Sequence, residues 1–198
     1  MTPFDNDLES ACQVLLVRHG RTALNAEGRL RGLADPELDD IGLAEARATA
    51  EALRSRSLSV VLSSPLQRAV MTARAIAEAN GVEARADPAF NDRDYGQWTG
   101  HVKADVIREF GSVDRAPGVE PEAAVIARAW PALNALTAPR GQWVAIVTHD
   151  AVIRPILRTI DPNARPVVET ASWSELRRID GHWRIVSMDQ RADSRAAS

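Results

Sequence analysis

A chain of 198 residues with 45% hydrophobic and 26% charged side chains can bury one sizeable core, and nothing in it suggests disorder or a membrane span. The formal net charge of −3 and a pI near 5.8 argue against a nucleic-acid partner, because a phosphate backbone asks for a broad basic surface; any phosphate recognised here must be met locally. The acidic start "MTPFDNDLES" holds no basic or apolar signal segment, and the single cysteine, Cys12, cannot form an internal disulfide, so both point to the cytoplasm.

In chain order, "QVLLV" (13–17) is a short apolar run suited to a strand buried on both faces, with Cys12 as a small apolar filler beside it. "IGLAEARATAEALRSR" (41–56) has the spacing of an amphipathic helix, and it is followed by strand "SVVLS" (59–63) and helix "PLQRAVMTARAIAEAN" (65–80), closed by Gly81. After a variable middle come helix "EAAVIARAWPALNAL" (122–136), strand "WVAIVT" (143–148) and helix "AVIRPILRTI" (151–160). "SWSELRRIDGHWRIVSM" (172–188) reads as two alternating strands around Asp180-Gly181, a hairpin that pairs antiparallel at the sheet edge. This alternation predicts a three-layer α/β/α sandwich with a mostly parallel central sheet and an antiparallel edge strand. With no repeat and no linker, one domain spans 1–198: core about 13–189, a short insertion about 100–120, and a frayed polar tail over 190–198.

In such sheets ligands sit beyond the carboxyl ends of the strands. The first strand ends in Arg18-His19-Gly20, the second in "SSPLQR" with Arg68 on the first turn of its helix, and the late strand in His149-Asp150. Two histidines and two arginines thus converge on one edge. Arginine's planar fork matches phosphate oxygens and a helix start offers free N–H groups to the same anion, so the pattern points to a phosphoryl group.

These motifs carry a resemblance. Arg18-His19-Gly20 with Thr22 and Asn25, then "SSPLQRAVMTA" and "VTHDAVIR" at matching strand ends, resemble the histidine phosphatase superfamily, also called the phosphoglycerate mutase-like family. "GLADPELDDIGLAEA" is similar to that family's approach to its first helix, and "FNDRDYGQWTG" to its acid-bearing loop, so the likeness runs from about Val14 to the final hairpin. The resemblance implies a phosphomonoester hydrolase of the histidine acid phosphatase type. His19 would attack phosphorus and become a phosphohistidine, a backbone carbonyl holding its other N–H. Arg18, Arg68 and His149 would surround the transferring group, Asn25 would donate a further hydrogen bond, and the Asp150 backbone N–H would join them.

The leaving oxygen needs a proton. Aligning the loop on Gly96, Trp98 and Gly100 places Asp92 where most relatives carry glutamate, with Asp94 as the rival two residues away. Thr99 stands where the family often shows an acid, and Asp150 where glycine is common. Other residues read as structural. His101 and His182 fit no motif and read as surface residues; Trp130, Trp143, Trp173 and Trp183 fall in helix or strand patterns as packing, leaving Trp98 with Tyr95 as a pocket wall. Asp35, Glu37, Asp39 and Asp40 precede a helix as caps and favourable charges. For Arg21, Arg29 and Arg31 a solvated and a phosphate-facing role are equally balanced.

Rival chemistries fit less well. "THD" in a metal-dependent HD phosphohydrolase would sit in an all-helical fold with further metal ligands, and Ser63-Ser64 lies in no Gly-x-Ser-x-Gly elbow. A phosphate-binding module with little catalysis and a cofactor-dependent phosphoglycerate mutase-type phosphotransferase remain as alternatives. Arg21 follows the first Arg-His-Gly where mutases carry glutamate, and the segment between Gly100 and Glu120 is too short for a large lid, although Val102, Val106, Ile107, Phe110 and Val119 could give it an apolar underside. The expectation is therefore a small phosphorylated substrate, no cofactor, no metal, no nucleic acid and no membrane, with a homodimer left open.

Overall fold

The computed structural model describes residues 12–192, and the acidic start and most of the polar tail lie outside the described residues. Six strands form one sheet in the order β3-β2-β4-β1-β5-β6: β1 (Gln13–Arg18), β2 (Leu58–Ser63), β3 (Ala84–Ala86), β4 (Trp143–Thr148), β5 (Trp173–Ile179) and β6 (His182–Gln190). β1, β2 and β3 all run parallel with β4 or with each other, whereas β5 lies antiparallel to β1 and β6 antiparallel to β5. The expected hairpin is thus present, but the antiparallel strand is one in from the edge, and β6 continues to Gln190, into the stretch expected to fray.

Apolar runs on β1 and β4 are continuous because both faces of the sheet are covered. On β1, Val14 and Leu16 turn to one face and Leu15 and Val17 to the other; on β4, Val144 and Ile146 oppose Trp143, Ala145 and Val147. Helices α5 (Glu122–Asn134) and α6 (Asp150–Ile160) cover the first face with Val125, Ala129, Leu133, Ile153 and Ile156. Helices α2 (Asp40–Leu53) and α3 (Gln67–Asn80) cover the second with Ala50, Leu53, Ala73 and Ile76. α1 (Ala23–Ala26) is a single turn closed by a capping box between Thr22 and Asn25. Cys12 is buried in the first cluster, where burial pushes its thiol pKa up, as suits a packing residue.

The insertion folds as α4 (Lys103–Phe110) followed by a short 3₁₀ turn, Val113–Arg115. Val106 packs with Leu30, Tyr95 and Ala116, with Trp98, Phe110, Val113 and Val119 around them, forming a small separate core; Ile107 of the expected underside instead faces outward. Among the described residues no helix is long and apolar enough to cross a membrane.

One close approach fixes where the chain goes after β1. A Cβ placed on Gly42, at the start of α2, would stand 2.0 Å from the Arg21 carbonyl oxygen, and one on Gly20 would stand 2.5 Å from the Gly42 oxygen. Backbone meets backbone, so neither neighbour can move aside as a flexible side chain would. Gly42→Ala is expected to destabilise by about 1–3 kcal/mol, as overpacking does, and to lower Tm by several degrees. Thermal unfolding checks this, and an unchanged Tm would show that the loop after β1 has slack.

Candidate active site

The carboxyl ends of β2, β4 and β1 are neighbours in the sheet, and the residues just beyond them form the site. His19 is held at both ends of its peptide unit: its N–H donates to Thr148 O at 3.0 Å and its carbonyl accepts from Ala171 N at 3.1 Å. The next N–H, that of Gly20, donates to Thr72 Oγ1 at 3.1 Å. The ring is fully buried, with Nδ1 2.6 Å from Gly20 O. A carbonyl can only accept, so Nδ1 carries the proton and Nε2 keeps its lone pair, buried with no hydrogen-bond partner. Burial first, then His149, Arg68, Arg18 and Arg31, hold the His19 pKa well below its ordinary value, so the imidazole is neutral.

Three arginines and a second histidine surround this nitrogen. Arg18 is anchored through Nη1 to Val168 O at 2.7 Å. Arg68, fully buried on the first turn of α3, donates to Ala34 O, Gly32 O and Asp92 Oδ2 at 2.7, 2.8 and 2.8 Å. His149 lies with its ring centroid 5.1 Å from that of His19. Its own pKa is well below the ordinary value, through burial first and then the charges of Arg68, Arg31, Arg18 and Arg128. The Nε atoms of Arg18, Arg31 and Arg68 and both ring nitrogens of His149 are, like His19 Nε2, buried without a partner. A protein rarely leaves such polar atoms unpaired, and the clustering of the arginine Nε–H donors around them makes a cradle suited to an anion with several oxygens.

The anchor of Arg18 is itself held under strain. Val168 has φ +51°, which a β-branched residue adopts only at a cost of about 1–3 kcal/mol. Asp189 accepts the N–H groups of Val167 and Val168 at 2.8 Å each, and Arg154 donates to the carbonyls of Pro166 and Val167. The loop is thereby locked so that the Val168 carbonyl meets the guanidinium.

Of the two acid candidates, the structure brings only Asp92 into the cluster. Its side chain is buried, with Oδ2 2.8 Å from Arg68 Nη2 and 3.4 Å from His149 Nδ1. Burial raises its pKa against the opposing pull of Arg68 and Arg31. Asp94 is exposed and accepts the Gly96 N–H at 2.7 Å within its own loop. Asn25 Oδ1 is taken by Thr22 N and Oγ1, at 3.1 and 2.9 Å, so its amide nitrogen is the group left for a ligand. It lines, with Arg18, Arg31, Tyr95, Lys103 and Asp150, a cavity of about 240 Å³.

Asp150 brings more than a backbone N–H. Its carboxylate is 2.9 Å from Arg31 Nη2 and 3.8 Å from Arg18 Nη2. Burial would raise its pKa, but the charges of Arg18, Arg31, Lys103 and Arg154 outweigh burial and hold it well below the usual carboxylate range. Arg31 thereby belongs to the cluster, whereas Arg21 turns to Asp39 and Arg29 to Glu27 and the Gly100 carbonyl. Of the two expected wall aromatics, Tyr95 lines the pocket, whereas Trp98 packs edge-on against His101 and Phe110 in the insertion core and donates its Nε1–H to Pro117 O. Asp39 caps α2 as expected, but Asp35 reaches across to accept the Gln67 N–H at the start of α3. Arg128 went unread in the sequence although it sits three residues after the buried Val125 on the inner face of α5, a charge in an apolar stripe.

The arrangement unites a neutral nucleophilic nitrogen, a cationic cradle and a buried carboxyl of raised pKa. Among the described residues, no group of three or more His, Cys, Asp or Glu side chains is placed to hold a metal ion.

Comparison with known proteins places this geometry in context. Residues 14–191 match the family described as histidine phosphatase superfamily (branch 1). Phosphoglycerate mutase-like protein 4 of Arabidopsis thaliana is 32% identical, covering 92% of this chain and 86% of the relative. Glucosyl-3-phosphoglycerate phosphatase of Mycobacterium tuberculosis is 28% identical, covering 87% of each. The solved structure of mycobacterial glucosyl-3-phosphoglycerate phosphatase in complex with VO3 superposes with a TM-score of 0.76 at 26% identity, covering 90% of this chain and 98% of that one.

The two depressed histidines make stability depend on pH. Below about pH 6.5 the unfolded chain binds protons that the folded imidazoles refuse, so stability falls as pH falls, by about 1.4 kcal/mol per pH unit for each ring. The raised Asp92 carboxyl acts in the opposite sense, because there the folded state holds the extra proton. Urea unfolding at pH 7.5 and 5.5 should show lower stability at pH 5.5, by up to about 1.4 kcal/mol per ring, and a smaller loss in His19→Asn. In Asp92→Asn, where the opposing group is gone, a pH-independent midpoint would contradict neutral burial of these rings.

Proposed function

The chain belongs to the histidine phosphatase superfamily, branch 1, and from that membership we propose that it hydrolyses the phosphomonoester of a small phosphorylated metabolite through a phosphohistidine on His19. The observation that carries this reading is the pairing of His19 Nδ1–H with the Gly20 carbonyl, which leaves Nε2 basic, unpartnered and beside the arginines. Nε2 attacks phosphorus while the bond to the ester oxygen breaks, and Asp92 supplies the proton that the leaving alcohol needs. Asp92, then ionised, takes a proton from water as that water attacks the phosphohistidine, releasing inorganic phosphate and free His19. Arg18, Arg68, His149, the Asn25 amide and the Asp150 N–H face the phosphoryl oxygens and stabilise the charge spreading over them.

Because His19 stays neutral well below its ordinary pKa, it remains a nucleophile in mildly acid solution, as a histidine acid phosphatase-type reaction requires. The arginines supply the positive charge that a metal would otherwise bring, so the reaction is read as independent of metal and cofactor. Hydrolysis is favoured over phosphate transfer because the insertion above the site is one short helix and a 3₁₀ turn, which leaves water access to the intermediate. The same reading gives a cytoplasmic enzyme that works on a small molecule and engages neither nucleic acid nor membrane.

Two experiments test it. Brief mixing with phosphate-labelled substrate in excess chelator, then denaturation without acid, should trap label that survives base and not acid. Label that persists in His19→Ala, or that requires an added divalent ion, overturns the covalent or the metal-free step. Second, Asp92→Asn should slow an alkyl phosphate by roughly 10²-fold or more and a nitrophenyl phosphate only slightly, since the latter leaving group hardly needs a proton. Equal losses on both would mean that Asp92 only shapes the pocket.

A further inference from the structure

Arg128 lies on α5 and reaches the main chain of the acid-bearing loop. It donates through Nη1 to the carbonyls of Ala89 and Asn91 at 2.9 and 2.8 Å, and through Nη2 to the Asp92 carbonyl at 2.9 Å. Its guanidinium is steadied by Glu120, whose Oε1 is 3.3 Å from Nε. Glu120 in turn receives the Asp94 N–H on Oε2 at 3.0 Å and gives its own N–H to the Asp94 carbonyl at 2.8 Å. One side chain therefore gathers three main-chain oxygens within four residues, in a stretch with no helix or strand ladder beyond its first 3₁₀ turn.

Such a clamp matters because of the length of the acid. An aspartate has only two side-chain torsions, so the position of its carboxyl is set almost entirely by the backbone that bears it. The Asp92 carboxyl must stay within 2.8 Å of Arg68 and 3.4 Å of His149. His19 and Arg18, by contrast, take their hydrogen bonds from β4, the Val168 loop and the neighbouring backbone, and none of these involves Arg128 or Glu120. We infer that Arg128 is a positioning residue for Asp92: it holds the loop backbone where the acid can reach the leaving oxygen, without touching substrate itself.

This inference rests on the assignment of Asp92 as proton donor, and it makes a prediction that a merely structural arginine would not satisfy. Losing the clamp should impair proton donation and leave phosphoryl capture intact. Arg128→Gln should therefore slow an alkyl phosphate by roughly 10- to 100-fold, the range for a displaced catalytic group, while the nitrophenyl ester stays within about 3-fold. In an Asp92→Asn background the same substitution should add no further leaving-group preference, because the group it positions is gone. Reading each variant as a ratio between two substrates cancels any fraction of protein that fails to fold. If Arg128→Gln slows both esters alike, or adds its full selective loss on top of Asp92→Asn, Arg128 is not acting through the acid. If Asp92→Asn itself shows no leaving-group preference, the acid assignment falls and the role of Arg128 falls with it.

Discussion

A single hydrogen bond, from His19 Nδ1 to the carbonyl of the next residue, sets the chemistry of the molecule. It decides which ring nitrogen is free, and burial with nearby cations keeps that nitrogen unprotonated. The geometry is only as good as the placement of Gly20, and much of the fold serves that placement. Thr148 and Ala171 hold the peptide of His19 from two neighbouring strands' ends, Thr72 holds the next N–H from α3, and the glycine contact with α2 leaves the loop no room to drift.

Around that fixed point the site is assembled from parts far apart in the chain but adjacent at one sheet edge. The strands that deliver Arg18, the Ser63–Ser64 turn toward Arg68, and His149 sit side by side because both sheet faces are buried, one under α2 and α3 and the other under α5 and α6. The charges are arranged to leave capacity unspent. Arg68 satisfies its terminal nitrogens on two carbonyls and Asp92, and Arg31 gives its strongest contact to Asp150, yet each keeps Nε free. The Asp150 carboxylate and the Asp92 carboxyl thus orient the guanidinium groups without neutralising all of them, which is how a buried cationic cradle can persist before substrate arrives.

Much of this was legible in the sequence because the signals are local. An apolar run that ends abruptly in Arg-His-Gly, or in Thr-His-Asp, marks a buried strand that hands over to polar residues at its end, and the period-2 and period-3.6 patterns put those ends on one edge. What escaped depends on contacts across long separations. The pairing of Arg31 with Asp150 spans 119 residues, and the reach of Asp35 to α3, not to the nearer α2, follows from loop path and not from spacing. β3 is three residues with two exposed, too short and too polar to carry a periodic signal. Trp98 and Tyr95 are three apart around a short 3₁₀ turn, so nothing local decides that the tyrosine reaches the cavity while the tryptophan stays at the edge of the insertion core.

The central claim is that His19 waits as a neutral imidazole protonated on Nδ1, with Nε2 free. Nitrogen-15 NMR of histidine-labelled protein tests it directly, because the two ring nitrogens of a neutral imidazole differ by whether they carry hydrogen. The account predicts that His19 shows a protonated Nδ1 and an unprotonated Nε2, unchanged from pH 8 to pH 6. A proton on Nε2, or a doubly protonated ring within that range, would contradict it.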